Sequence, residues 1–252
     1  MDATTLGVLA ATAVATSILS AIVGMAGGIV LLTVMLLFFE PLVAIPLHGL
    51  VQLVSNSSRT VIQRAYVDWD LVWRYSVLLL PMGFLGLAFL RALPPDGARA
   101  LIGAFVLVAT WLPGLLLLGT HPDRLDRGRR FLVLGGVVGA LNTVVGATGP
   151  LIAPFFLDLG MERRALIGTK AACQTLGHLA KAVIFGVAGF AFLGFLAPLA
   201  VLAASVVLGT WLGSRILGRV TEATFVRLYK TVLTLVALRL VVWDGLAAFG
   251  WG

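Results

Sequence analysis

Lys170, Gln174, His178 and Lys181 interrupt an apolar run of membrane length. Positions i, i+4, i+8 and i+11 fall within roughly 80° of one helix face at about 100° per residue. Two ammonium groups with an amide and an imidazole between them suit an anion. The lysines supply charge, and the amide and ring supply directional hydrogen bonds. A second set, His48, Gln52, Asn56 and Arg59, lies earlier in the chain, and all four pairs share an offset of 122. A central charge in a membrane helix costs about 2.5–3.5 kcal/mol on insertion scales. Two such rows therefore point to an anion-binding path built from two related halves.

The elements that must carry these rows are helices in a bilayer. The chain has 252 residues, 60% hydrophobic and 12% charged, with a mean hydropathy of +1.06. A soluble domain has roughly 25% charged residues. Apolar segments run over about 5–39, 43–64, 70–90, 98–119, 131–157, 164–187, 190–214 and 223–247. They do not alternate, so they read as helices rather than barrel strands. The net charge of +7 is read by its place along these segments. It implies a lipid bilayer as partner and no nucleic acid. The segment after Met1-Asp2 lacks a basic start and a small-residue cleavage pattern, so it reads as part of the fold. A single cysteine, Cys173, allows no intrachain disulfide;.

Segments one and five each hold a glycine-rich interruption, Gly24 to Gly28 and Gly146 to Pro150. Gly24 matches Gly146, and Gly27 matches Gly149, again at offset 122. Glu40 with Glu162 and Gln52 with Gln174 do the same, which marks an internal duplication. Paired interrupted segments in two halves point to a transporter binding site. The reading is an all-α polytopic helical membrane protein with two four-segment repeats. They cover 1–120 and 131–252, joined by a basic connecting loop at 121–130. If the interrupted segments enter and leave on one side, most arginines fall on one face, and Arg91, Arg99 and both termini fall on the other. The repeats are then inverted, with both termini outside the cytoplasm.

Each candidate has a plainer reading beside the functional one. Small residues at 24–28 and 146–149 could simply let helices pack closely. His48 could be a helix-end histidine. Arg59 and Lys170 could snorkel to the interface. Gln52 and Gln174 could be interhelical glue. Cys173 reads as a small buried hydrophobe or a thiol beside substrate. Arg239 either snorkels or lines the path. All eleven acidic residues fall at segment ends or in loops, so the deep polar set is net positive. That disfavours a cation carrier and leaves His48 or His178 to carry a coupled proton. No Walker loop or HExxH motif is present, so no cofactor, metal or catalytic residue is expected.

The run GMAGGIVLLTVMLLF, with PLVAIPLHGLVQLVSNSSRTVIQRAYVDWDL and LPMGFLGLAFLRALPP, resembles the first half of the sulfite exporter TauE/SafE family. That group is also called the toluenesulfonate uptake permeases. GGVVGALNTVVGATGPLIAPFFLDLGMERRALIGTKAACQTLGHLAKAVIFG resembles the second half. The likeness spans nearly the whole chain. Pro150 and Thr33 depart from the family pattern near the two interruptions. The resemblance implies a multi-pass carrier of the bacterial inner (cytoplasmic) membrane, moving sulfite, an organosulfonate or a related oxyanion. An anion channel, or an intramembrane enzyme or accessory protein, is the alternative. The expected site comprises Gly24, Gly27, Gly28, His48, Gln52, Asn56, Arg59, Gly146, Gly149, Lys170, Gln174, His178 and Lys181 around a small anionic substrate.

Overall fold

A computed structural model describes residues 1–23, 27–117, 126–152, 154–157, 159–216 and 222–248. Among these the chain is helical, with no strand. The first half holds α1 (Ala3–Val23), α2 (Gly27–Met35), α3 (Pro41–Ile62), α4 (Trp69–Ser76), α5 (Leu79–Ala92) and α6 (Pro95–Trp111). The second holds α7 (Arg127–Val144), α8 (Gly149–Ile152), α9 (Pro154–Leu157), α10 (Arg163–Val187), α11 (Leu196–Ile216), α12 (Glu222–Arg239) and α13 (Gly245–Ala248). Leu240–Asp244, before α13, forms a π-helical turn.

Local chemistry fixes the helix starts. Glu40 and Glu162, a matched pair in the sequence, are the extended N-cap residues of α3 and α10. Pro41 follows Glu40 at the first helical position, where its missing N–H costs nothing;. The Asp126 carboxylate accepts from the backbone N–H groups of Gly128 and Arg129, at 2.8 and 3.2 Å, and so caps α7;. Pro81 lies in the first turn of α5 and cannot donate to the carbonyl four residues back;. There α4 and α5 meet at a bend of 41°.

The heaviest packing runs between the halves rather than within them. α1 lies along α11, α7 along α4 and α5, α3 along α10, and α6 along α12. The pattern is reciprocal: the first helix of each half packs on the third segment of the other, and the two fourth segments, α6 and α12, pack together. Two apolar clusters result. One gathers Leu9, Leu32, Ile45, Ile102, Val206 and Leu233. The other gathers Leu71, Tyr75, Phe131, Phe156 and Cys173. The outer surface carries large apolar side chains such as Leu85, Trp73, Val187 and Trp243, while His48, Lys170, His178 and Lys181 are buried. This inversion of the soluble pattern belongs in lipid.

Among the described residues, two helices are long and apolar enough to cross a membrane, Phe192–Gly213 and Lys230–Ala248, and the bent α4–α5 pair makes a third if taken as one span. Helices α3 and α10 run for 22 and 25 residues. Their polar stripes lower their apolar character below the others. At one end Arg127 bonds Asp68 at 2.7 Å, and Arg164 bonds the Tyr66 hydroxyl at 3.0 Å. At the other, Arg99 bonds Asp96 at 2.9 Å, and Arg239 bonds Asp244 at 2.8 Å. Arg239 is therefore not a lone intramembrane cation. Its partner Asp244, at the end of a segment in sequence, is buried in the π-helical turn.

Candidate functional site

α3 and α10 run antiparallel with their polar faces together. The Gln63 end of α3 meets Gly168. The Thr60 and Thr175 hydroxyls lie 3.1 Å apart. The rings of His48 and His178 stand edge to face at 6.0 Å, and Gly49 sits against the Lys181 stem. Between these helices and the two interruptions lies a narrow cavity of about 30 Å³. Of the expected residues it brings together His48, Gln52, Asn56 and Arg59 from α3, Gln174 and His178 from α10, Gly28 from α2 and Gly149 from α8. Among the described lining residues Arg59 is the formal cation and none is a carboxylate. Gly28 admits the α3 face closely, since a Cβ there would stand 3.1 Å from the Gln52 amide.

The interruptions are tied to these helices through backbone carbonyls. His48 Nε2 lies 2.8 Å from the Gly28 carbonyl. A carbonyl only accepts, so this nitrogen carries the proton. Lys181 Nζ donates to the Gly146 carbonyl at 2.8 Å and to Asn142 Oδ1 at 3.3 Å. Asn142 in turn donates to the Gly177 carbonyl at 3.0 Å. Gly146 sits at φ +73°, a left-handed conformation that glycine adopts without strain. Across the first interruption, the Gly27 N–H donates to Ser20 Oγ at 3.0 Å.

Four expected residues among those described stand apart from the lining. Gly24 lies outside the described residues. Gly27 packs against the Thr16 carbonyl, where a Cβ would collide. Gly146 and Lys181 hold the second interruption together. Lys170 is buried and near enough to Arg59 to repel it. Snorkelling does not describe it. Asn56 spends its amide N–H₂ on the Gln52 carbonyl at 2.9 Å, so Oδ1 is the atom left over. Arg59 bonds Ser55 Oγ at 3.0 Å. Cys173 is buried in the apolar cluster beside Tyr75.

The expected list lacked Ser20, Ile29, Ala147 and Thr148 of the lining, and Asn142. A signal for two of these was present. Ser20 and Asn142 are themselves separated by 122 positions. Ser20 Oγ accepts from the Gly27 N–H, and Asn142 bonds Lys181 and the Gly177 carbonyl on α10. Neither residue carries a charge that would flag it in the sequence.

A buried, cation-bearing polar cavity inside an all-helical membrane protein is the kind of site that a transporter of anions uses;. The chain belongs to the sulfite exporter TauE/SafE family, whose sequence profile matches residues 9–240. It is a membrane transport protein of that family. No curated protein and no solved structure shows a significant match.

Proposed function

We infer that the chain is a secondary transporter of a small sulfur-containing oxyanion, sulfite or an organosulfonate, in the bacterial inner membrane. The observation that carries this reading is the cavity between α3 and α10. Its polar lining joins both halves, holds Arg59 and, among the described residues, includes no carboxylate. Arg59 would offset the anion's charge, while Gln52, Gln174 and His178 would direct its oxygens. Lys170 adds positive potential beside Arg59.

Inverted halves suit the antiparallel α3–α10 seam and the reciprocal packing of α1 on α11 and α7 on α4–α5. Rocking of one half against the other would then expose the cavity alternately. The grouping of Arg127 and Arg164 at one end, away from Arg91 and Arg99, supports placing that basic end in the cytoplasm;. The test is uptake of labelled sulfite and organosulfonates into proteoliposomes, with wild type beside Arg59→Met. Saturable uptake that the variant loses is expected. Uptake that ignores Arg59, or rises linearly without saturation, removes the carrier reading.

A further inference from the structure

The hydrogen-bonding inventory of the cavity goes further than its charge, provided the oxyanion reading above holds. His48 binds the Gly28 carbonyl through Nε2–H. In the neutral ring, Nδ1 is then a lone-pair acceptor, and it is buried without a hydrogen-bond partner. Asn56 points its N–H₂ at the Gln52 carbonyl. Reversing the amide would set oxygen against oxygen, so Oδ1 stays the free atom, also buried without a partner. Two residues lining an anion cavity thus keep acceptors in reserve. A buried polar atom left unpaired is costly, so a site keeps one only where a ligand group meets it.

A fully deprotonated oxyanion has only acceptors and would repel both atoms. Among the described lining residues Arg59 is the formal cation; Lys170 stands behind it, and Lys181 is committed to Gly146 and Asn142. The geometry points to a cargo that is a singly charged oxyanion still bearing one O–H, the hydrogensulfite class, with that hydroxyl donating to Asn56 Oδ1 or His48 Nδ1. Arg59, Gln52 and Gln174 then serve the unprotonated oxygens. Moving such an ion is electrically equivalent to moving the dianion with a proton. The proton travels on the cargo, and the cavity needs no carboxylate to carry it.

The test is binding by the purified full chain to three probes, hydrogensulfite, methanesulfinate and sulfate, at mildly acidic pH. Methanesulfinate has the same charge and nearly the same pyramidal shape as hydrogensulfite, with methyl in place of hydroxyl. Hydrogensulfite should bind about tenfold more tightly than either of the others, the equivalent of roughly one net hydrogen bond. At mildly alkaline pH, where sulfite is mostly the dianion, that preference should disappear. The groups around the cavity that could titrate are His48 and Arg59 on α3 and Lys170, His178 and Lys181 on α10; α2 and the turn between α7 and α8 contribute none. Methanesulfinate keeps one charge throughout, so its own pH dependence reports those protein groups and is divided out. Asn56→Leu should narrow the gap between hydrogensulfite and methanesulfinate. The wild-type comparison stands even if this variant does not fold. Sulfate or methanesulfinate binding as tightly as hydrogensulfite overturns the protonated-cargo inference and leaves the oxyanion carrier in place. Failure of all three probes to bind overturns both.

Discussion

At the first glycine interruption, the tie to the neighbouring helix is His48 Nε2 on the Gly28 carbonyl. At the second, it is Lys181 Nζ on the Gly146 carbonyl, and both measure 2.8 Å. The interruptions are matched in sequence, but these ties are not. His48 is the counterpart of Lys170, and Lys181 is the counterpart of Arg59. The first half uses a ring near the start of α3 and leaves its cation, Arg59, on the cavity. The second half uses the cation itself. A hydrogen bond from a charged group contributes about 1.5–3 kcal/mol, against 0.5–1.5 for a neutral one. The second turn, with Gly146 at φ +73°, is thus the more firmly held. Duplication kept the polar face and redistributed its duties.

The largest effect should come from Gly27→Ala. Its Cβ would collide with the Thr16 carbonyl, which is backbone and cannot turn aside. Little monodisperse protein is expected on gel filtration. Gly146→Ala should be milder. It incurs about 1–2 kcal/mol for the left-handed backbone and meets the mobile Leu32 Cδ2 at 2.6 Å. A lower melting temperature in a folded protein is the expected result, and the reverse order of severity would break the comparison.

Lys181→Met against Arg59→Met tests the division of duties. Lys181→Met removes the charged donor from the Gly146 carbonyl, a hydrogen bond of about 1.5–3 kcal/mol, so melting temperature and transport should fall together. Arg59→Met should lose transport with little change in melting. Equal destabilisation by the two would show that both are braces. Gly28→Ala should act on substrate alone. Alanine favours a helix by about 0.5–1 kcal/mol over glycine, while the new methyl displaces Gln52. A raised KM with unchanged melting is expected in the uptake assay.

The smallest effect lies at the entry to α7, which leads into the second interruption. Backbone donation from Gly128 and Arg129 holds the Asp126 carboxyl below its usual range. The cap's contribution is fully present above the unfolded carboxylate pKa and fades as pH falls through the lower folded value. Melting of the wild type should drop at the acid end of a pH series. Asp126→Asn, which still caps but does not ionise, should flatten that drop.

Much of the helical plan was legible because it follows from local rules. The apolar runs and the glycine break at 146–149 depend on neighbours within a turn, as does the placement of two polar stripes on single helix faces. Glu40 and Glu162, in contrast, read only as a repeat match until the structure placed them at the N-caps of α3 and α10. The bend between α4 and α5 was less visible, since Pro81 reads as an ordinary proline in an apolar run. The Arg239–Asp244 pair was hidden because five residues is not an ordinary helical contact spacing. It closes over the π-helical turn, which no composition signal announces.

The sequence by itself determined a helical membrane protein with a duplicated polar face and two interruptions, since hydrophobic period and chain punctuation act locally. Tertiary structure decided which polar groups meet. Laying α3 antiparallel to α10 placed His48 opposite His178, brought Arg59 to the cavity and turned Lys181 to a backbone carbonyl. An interaction falls off within a few ångströms, so two residues at equivalent sequence positions do the same work only if the packed helices give them the same neighbours.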